Sequence, residues 1–157
     1  MDETYVCVKG RWCYLYRAID FQGATIEFFL SVFRDLDAAK SPFRRALPNA
    51  APLQPRVFNT GLAPTYTSAI PALKRSGIIG RRCKHRPVQY LNNIIEQDHR
   101  TIKKRVNAKQ GFRVFGAASR TINGYQPVHM IRKRQVRWLA GHDIMEQIRF
   151  VDGLFGL

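Results

Sequence analysis

The first 31 residues alternate between apolar and polar positions in a way that predicts three β-strands. Residues 4–8 (TYVCV), 12–19 (WCYLYRAI) and 25–31 (TIEFFLS) are rich in β-branched and aromatic residues, which favour strands. The segment 9–11 (KGR) is typical of a tight hairpin, and residues 20–23 form a second turn. The pattern therefore predicts a three-stranded antiparallel sheet at the start of the chain.

After residue 35 the pattern changes to helices with short strands between them. Asp35 or Asp37 can cap a helix that runs to about Leu47, with Pro42 in its first turns or kinking it. The remaining predicted elements are a buried strand at 56–59, a helix at 65–75, an edge strand at 81–86, a helix at 91–106 and a last helix from about 117, interrupted at Gly124 and Pro127 and running through 138. Strands first and helices later predict an α/β fold with a mixed sheet.

The helix predicted within residues 90–106 carries the most informative pattern. Asn92, Glu96, His99 and Lys103 share one face at helical spacing. Another face is apolar and can dock on a core; it carries Leu91, Ile95, Ile102 and Val106. On an ideal helix Asp98 lies about 200° from Glu96, which favours a structural role for Asp98.

The two acids on this helix stand out because the surrounding sequence is strongly basic. The chain carries a net charge of +15, and residues 38–142 hold 21 Lys and Arg but only two acids, Glu96 and Asp98. An acid in such a field is a salt-bridge partner or a ligand for a cation, and residue types alone favour the salt bridge. The net charge predicts a polyanionic partner, with nucleic acid ahead of a membrane surface.

Several protein classes are excluded by composition. Every apolar run is broken well before the roughly 18 residues that a membrane span needs, and the first ten residues are not a signal peptide. Three cysteines without CxxC spacing argue against structural zinc and for a reduced cytosolic protein. Trp12 and Trp138 are predicted to pack in the core or at a domain edge, because no aromatic interleaving of the base-stacking kind is visible.

Two kinds of chemistry remain open from the residues alone. In one, Asp2 on a strand and Glu96 on a helix hold Mg²⁺ against a phosphodiester, since Mg²⁺ takes one or two carboxylates together with phosphate oxygens. In the other, the chain binds nucleic acid through Lys and Arg without catalysis. The pattern does not separate them.

Several sequence blocks resemble one family of mobile-element proteins. They are DETY with VKGRWCYLYRAID near the start, NT with APTY at 59–66, HRPVQYLNNIIEQDHRTIKKR at 85–105, GFRVFGAASRTINGY at 111–125 and HMIRKRQ at 129–135. Together they resemble the catalytic domain of DDE transposases from bacterial insertion sequences, in insertion-sequence family six. The resemblance implies a ribonuclease-H-like mixed sheet flanked by helices over residues 1–137, with 138–157 as a C-terminal tail. It also implies three carboxylates that bind two Mg²⁺ and join a freed 3′-hydroxyl to target DNA.

The family's site residues transfer to this sequence one by one. Asp2 matches the first acid and Glu96 the third, so both are expected to be catalytic and metal-binding. The family motif N-T-D-K-A-P reads N-T-G-L-A-P here, so Gly61 occupies the place of the second acid, with 34 residues between it and Glu96. His99 is expected to contact a phosphate or orient the Glu96 carboxylate, unless it is a plain surface histidine. The residues assigned to DNA binding are His99, Arg100, Lys103, Lys104 and Arg105.

Two departures from the family decide the predicted activity. Gly61 supplies no side-chain oxygen, and only Met1 precedes Asp2, so the sequence predicts that the N-terminal DNA-binding domain is absent and that Asp2 is frayed. The expected protein is a DNA-associated domain of the bacterial cytosol, inactive or nearly so, whose partners are transposon ends and target DNA; a homo-oligomer fits, a membrane does not. The alternative is a non-catalytic DNA-binding remnant or regulator.

Overall fold

The computed structural model describes residues 1–47, 54–88, 93–107, 111–136, 139 and 143–155, with the side chains of 93, 105, 107, 154 and 155 left out. These residues form two compact units, 1–113 and 114–157. The division falls inside the segment 1–137, and the assignment of that segment to a single domain stays a prediction.

The first unit opens with the predicted antiparallel sheet. Strands β1 (Asp2–Val8), β2 (Arg11–Ile19) and β3 (Thr25–Ser31) pair in the order β1-β2-β3. Lys9 and Gly10 both take positive φ at the hairpin, which glycine adopts without strain. Asp2 is paired with Arg17 of β2, so the expectation that Asp2 is frayed is wrong. Cross-strand hydrogen bonds hold the strand in place up to its first residues.

Helices and a second, small sheet complete the first unit. Helix α1 (Leu36–Ala46) is capped by Asp35, whose carboxylate accepts from the Ala38 amide at 2.7 Å. The other elements are β4 (Val57–Thr60), α2 (Pro64–Arg75), β5 (Lys84–Pro87) and α3 (Asn93–Asn107). Strands β4 and β5 pair in parallel. The architecture is therefore mixed α/β as predicted. Among the described residues the strands make two sheets rather than the single mixed sheet that was expected.

Helices cover both faces of the three-stranded sheet. On one face, the side chains of Tyr16, Phe43, Tyr66 and Leu73 belong to an apolar core formed with α1 and α2. On the other face, α3 lies against β1 and β2. The buried residues on that side include Thr4, Val6, Val8, Cys13, Leu15, Arg17, Thr25, Ile95, Asp98, His99, Ile102 and Val106. Among the residues that the structure describes, ion pairs occur on both faces, but only the α3 face buries both partners of one almost completely, the pair of Arg17 and Asp98.

The end of β1 is extended by a short bridge to the segment that closes the first unit. Phe112 donates its amide to the Cys7 carbonyl at 3.1 Å and accepts from the Lys9 amide at 2.6 Å. Gly111 has φ +89°, and a Cβ there would lie 3.2 Å from the Cys7 carbonyl oxygen. A glycine is therefore required for this close approach.

The second unit contains two helices, α4 (Phe115–Arg132) and α5 (Ile144–Phe155). Helix α4 runs unbroken through Gly124 and Pro127, so the predicted interruption is wrong; these two residues weaken a helix of 18 residues without ending it. It also stops earlier than predicted, because Arg134 takes a left-handed φ of +61°. Helix α5 was missed in the tail, although Asp143 caps it by accepting from the Glu146 amide at 2.9 Å.

Three further expectations concern tryptophans and membranes. The Trp12 side chain is 62% exposed on β2, so its predicted burial is wrong. Trp138, like residues 90–92 of the predicted key helix, lies outside the described residues. Among the described residues, no helix has the length and apolar character needed to cross a bilayer.

Candidate functional site

The candidate site is built around Asp2, at the start of β1. Asp2 lies on the same face of the sheet as its partner Arg17, the face covered by α3. Burial raises the pKa of the Asp2 carboxyl to about 6, and the negative charge of Glu96 adds to this rise. This electrostatic influence of Glu96 on Asp2 is consistent with the two carboxyls lying in one neighbourhood, and their joint role as metal ligands stays a prediction.

Glu96 is presented by the first turn of α3 and is exposed to solvent. Ile95 and Ile102, each 2% exposed, turn the apolar stripe of the helix onto the sheet. Glu96 follows Ile95 by one residue, which places it about 100° around the helix, at the rim of the buried face. A carboxylate at this rim remains accessible to a cation or a phosphate from solution.

Gly61 lies directly after β4, next to the start of β1. The α-amino nitrogen of Met1 donates to the Asn59 carbonyl at 2.7 Å, which brings the beginning of β1 to the end of β4. Thr60 is fully buried; its hydroxyl donates to the Gly61 carbonyl at 3.0 Å and lies 2.8 Å from His85 Nε2. This end of β4 is therefore well defined, although it brings no carboxylate to the site.

Asp98 makes the salt bridge that its position on the helix predicted. Its Oδ2 atom lies 2.7 Å from Arg17 Nη1, and the two side chains are 4% and 0% exposed. Arg17 Nη2 also donates to the Thr25 hydroxyl at 3.4 Å. The structural role predicted for Asp98 is confirmed, and its partner is a residue that the sequence did not single out.

His99 lies in the interior and is 5% exposed, so the expectation of a plain surface histidine is wrong. Burial lowers the pKa of His99 to about 3, with the positive charge of Arg17 as the next cause. The imidazole is therefore neutral at physiological pH. Its burial in this structure favours the orienting role over a direct contact with a phosphate.

The basic residues assigned to DNA follow on the same helix. Arg100, Lys103 and Lys104 are exposed to solvent. The backbone of Arg105 belongs to α3, but its side chain is outside the described residues. Three cations beside an exposed Glu96 give this part of the surface a positive potential that suits a polyanion.

The carboxylates present fit one Mg²⁺ ion and not a pair. Mg²⁺ is commonly held by one or two carboxylates, with water and substrate phosphate completing its six ligands. Asp2 and Glu96 supply two such groups, while Gly61 adds none. Among the residues that the structure describes, no cluster of three or more His, Cys, Asp or Glu side chains could hold a metal. A second ion would lack a charged ligand.

Two parts of the site were missed from the sequence. Arg17 sits within a strand whose neighbours are aromatic and apolar, and only the register with Asp2 indicates that it faces the site. The pairing of Thr60 with His85 depends on the parallel register of β4 and β5. The sequence signal that could have identified Arg17 is that it continues the spacing of two from Cys13 to Leu15, which places it on the inward-facing side of β2.

Comparison with known proteins places these observations in a family. Residues 1–135 match the profile of a DDE domain of the IS240 transposase type. The chain is 34% identical over 139 residues to the transposase for insertion sequence-like element IS431mec of Staphylococcus aureus, covering 88% of this chain and 59% of that protein. The transposase for IS257 in transposon Tn4003, also from Staphylococcus aureus, matches to the same extent.

A third relative is an uncharacterized protein of Yersinia pseudotuberculosis. It is 38% identical over 85 residues, which cover 54% of this chain and 79% of that protein. No solved structure matches the chain. The chain spans about three fifths of the length of the Staphylococcus transposases that it matches.

Proposed function

Because the chain belongs to the DDE domain family of IS240-type transposases, we propose that its α3-covered face derives from a site for DNA cleavage and strand transfer. The proposed fold is ribonuclease-H-like, with Asp2 and Glu96 as the first and third acids of that site. In this chain the site is catalytically silent or nearly so, because Gly61 stands where the second acid belongs.

The observation that supports the proposal is that Asp2, under the electrostatic influence of Glu96, begins the strand whose start is hydrogen-bonded to the end of β4. Glu96 acts electrostatically on Asp2, and the Met1–Asn59 hydrogen bond brings β4 alongside. Phosphoryl transfer needs positioning and charge stabilisation around the attacking and leaving oxygens. Two carboxylates beside one strand end supply part of such a site, and the position of the missing group is Gly61.

The roles of the residues follow from their positions. Asp2 and Glu96 would hold one Mg²⁺, which when bound polarises a phosphodiester and activates the attacking oxygen. His99, neutral and buried, orients the Glu96 side of α3. Arg100, Lys103 and Lys104 bind the DNA backbone by charge, which fixes the position of the strand without reading its sequence.

The decisive experiment measures DNA strand transfer with Mg²⁺ or Mn²⁺. Three proteins are compared: the chain as it stands, Gly61→Asp, and Gly61→Asp joined to the N-terminal region of a related transposase. Joining is expected only with a restored acid, and most strongly in the third protein. DNA joining by the unaltered chain would contradict the proposal that its site is silent. Failure of all three would overturn the assignment of Asp2 and Glu96.

A non-catalytic DNA-binding role is the second candidate, favoured by the net charge of +15 and the exposed cations of α3. If phosphate contacts dominate, the logarithm of affinity falls linearly with the logarithm of salt, by about 0.9 per neutralised phosphate. Changing Lys103 and Lys104 to Gln is expected to reduce that slope by about 2. A slope that both substitutions leave unchanged would place the DNA elsewhere on the chain.

A further inference from the structure

The pairing of Arg17 with Asp98 joins the central strand β2 to helix α3 inside the protein. The bridge is 2.7 Å long, and neither side chain is more than 4% exposed. A buried ion pair contributes little net stability, because desolvation of both charges offsets their attraction. Net stability therefore does not explain why the Arg17–Asp98 pair is buried at this place in the fold.

The geometry of α3 supplies such a role. Ile95, Ile102 and Val106 lie along the middle of the buried face, since all three are buried and recur at helical spacing. Asp98 falls on one flank of this stripe and Glu96 on the opposite flank, about 200° away. The flank of Asp98 faces β2, where Arg17 holds it. The flank of Glu96 is then turned away from β2.

The order of the strands decides where that second flank points. In the sheet, β1 lies beside β2 and carries Asp2 directly across from Arg17. The start of β1 in turn meets the end of β4, near Gly61. A helix held to β2 on one side therefore presents its other side toward Asp2 and Gly61. An apolar stripe alone leaves the rotation of a helix on a sheet less well defined.

We infer that the Arg17–Asp98 pair is a positioning element, which fixes the rotation of α3 and so directs Glu96 toward Asp2. The inference rests on the proposed function, because it takes Asp2 and Glu96 as the metal-binding carboxylates. In this role Arg17 and Asp98 are not metal ligands themselves. They act through the helix.

The first test measures Mn²⁺ binding by electron paramagnetic resonance in the Gly61→Asp protein. In that background Arg17→Met with Asp98→Leu replaces the pair by apolar side chains of similar size, which buried ion pairs tolerate. The matched control is Arg45→Met with Glu27→Leu, which removes a strand-to-helix ion pair of 3.5 Å on the other face. Groups that orient metal ligands by hydrogen bonds typically change metal affinity by about 10- to 100-fold, which sets the scale expected for a pair that orients the helix.

The expected result is a fall of at least about tenfold in Mn²⁺ affinity in the first double variant, with folding retained and the control unchanged. Equal affinity in both double variants would overturn the positioning role. If Gly61→Asp itself binds no Mn²⁺, the proposed function fails, and the positioning role is judged by the second test.

The second test needs no metal and uses the chain without Gly61→Asp. Cysteines replace Asp2 and Glu96, Cys7 is changed to Ser, and a short thiol cross-linker is applied; peptide mapping then identifies the link between positions 2 and 96. The rate of that link is expected to fall when Arg17 and Asp98 are replaced by the apolar pair. An unchanged rate would show that α3 keeps its rotation without the ion pair.

Discussion

The two faces of the three-stranded sheet each bury an acid that pairs with an arginine, but the surroundings of the pairs differ. On the α3 face, Arg17 and Asp98 are almost completely removed from solvent. On the α1 and α2 face, Arg34 donates to Glu3 through Nη2 at 2.6 Å and Nε at 3.2 Å while remaining 38% exposed. One pair is dry and the other is half-solvated.

This difference distinguishes the face packed on α1 and α2 from the face that carries the proposed site. Around Glu3 the neighbours are Tyr16 and the deeply buried Tyr66, whose phenol pKa is raised by burial and by the Glu3 charge. Water can reach Arg34, so its loss can be partly compensated by solvent. Around Arg17 no such compensation is available, and the protein keeps charge there next to Asp2 and Glu96. This retention of charge in a dry layer agrees with the positioning role inferred for the pair.

The largest expected effect is from Asp98→Ala, which leaves Arg17 buried without its carboxylate. Breaking a buried pair on one side costs about 3 to 5 kcal/mol of the free energy of unfolding. Chemical denaturation followed by circular dichroism measures it. Replacing both partners, Arg17→Met with Asp98→Leu, is the control and is expected to lie close to the parent. A loss below about 1 kcal/mol in the single variant would contradict the dry environment.

A pH titration of stability tests the same layer through His99. With its pKa lowered from 6.5 to about 3, His99 stays neutral in the folded chain but takes up a proton when unfolded. The unfolded state therefore binds more protons between these values, and stability falls as pH falls through that window. Between about pH 7 and pH 4 the free energy of unfolding of the parent should therefore decrease by on the order of 3 kcal/mol more than that of His99→Gln.

The titration of Asp2 changes the stability in the opposite direction over part of that pH range. Its pKa is raised from 3.8 to about 6, so the folded chain binds more protons there and the resulting stabilisation is lost as pH rises. The comparison of His99→Gln with its parent cancels this contribution, because Asp2 is present in both. Identical pH profiles of the two proteins would mean that His99 is solvated.

Arg34→Met is expected to have the smallest effect of the three. The substitution leaves the Glu3 carboxylate without its main donor, but opens a path for water, so the cost should be about 1 to 2 kcal/mol. Chemical denaturation of Arg34→Met and Asp98→Ala under the same conditions compares the free energy of unfolding that each face loses. If Arg34→Met costs as much as Asp98→Ala, the half-solvated and dry pairs are equivalent and the comparison fails.

The sequence predicted most elements of the first unit because their patterns are local. Alternation gave the three strands, and Asp35 and Gly77 marked the cap of one helix and the end of another. The partner of Asp98, by contrast, depends on the packing of helix α3 against strand β2, which brings together residues 81 positions apart. Helix α5 was missed although Asp143 and Glu146 have capping spacing. Local sequence signals were sufficient to predict most helices and strands. The contacts of the candidate site depend on residues far apart in the sequence, which such signals do not reveal.

The prediction for His99 illustrates the same limit. Helical spacing placed it beside Glu96 and Lys103, and both of those side chains are indeed exposed. His99 lies only about 60° from Glu96, yet this step crosses from the rim of the helix into its buried face. Which side of a helix is buried is decided by the strands beneath it.

The glycine after β4 has a consequence at the level of the gene. Every glycine codon becomes an aspartate or a glutamate codon by one change at its second base. A carboxylate at position 61 is therefore a single mutational step away, at a strand end where the Thr60 hydroxyl contacts His85 and the Gly61 carbonyl. If the proposed site is silent for want of this group, a single base change supplies a carboxylate there without rebuilding the surrounding fold.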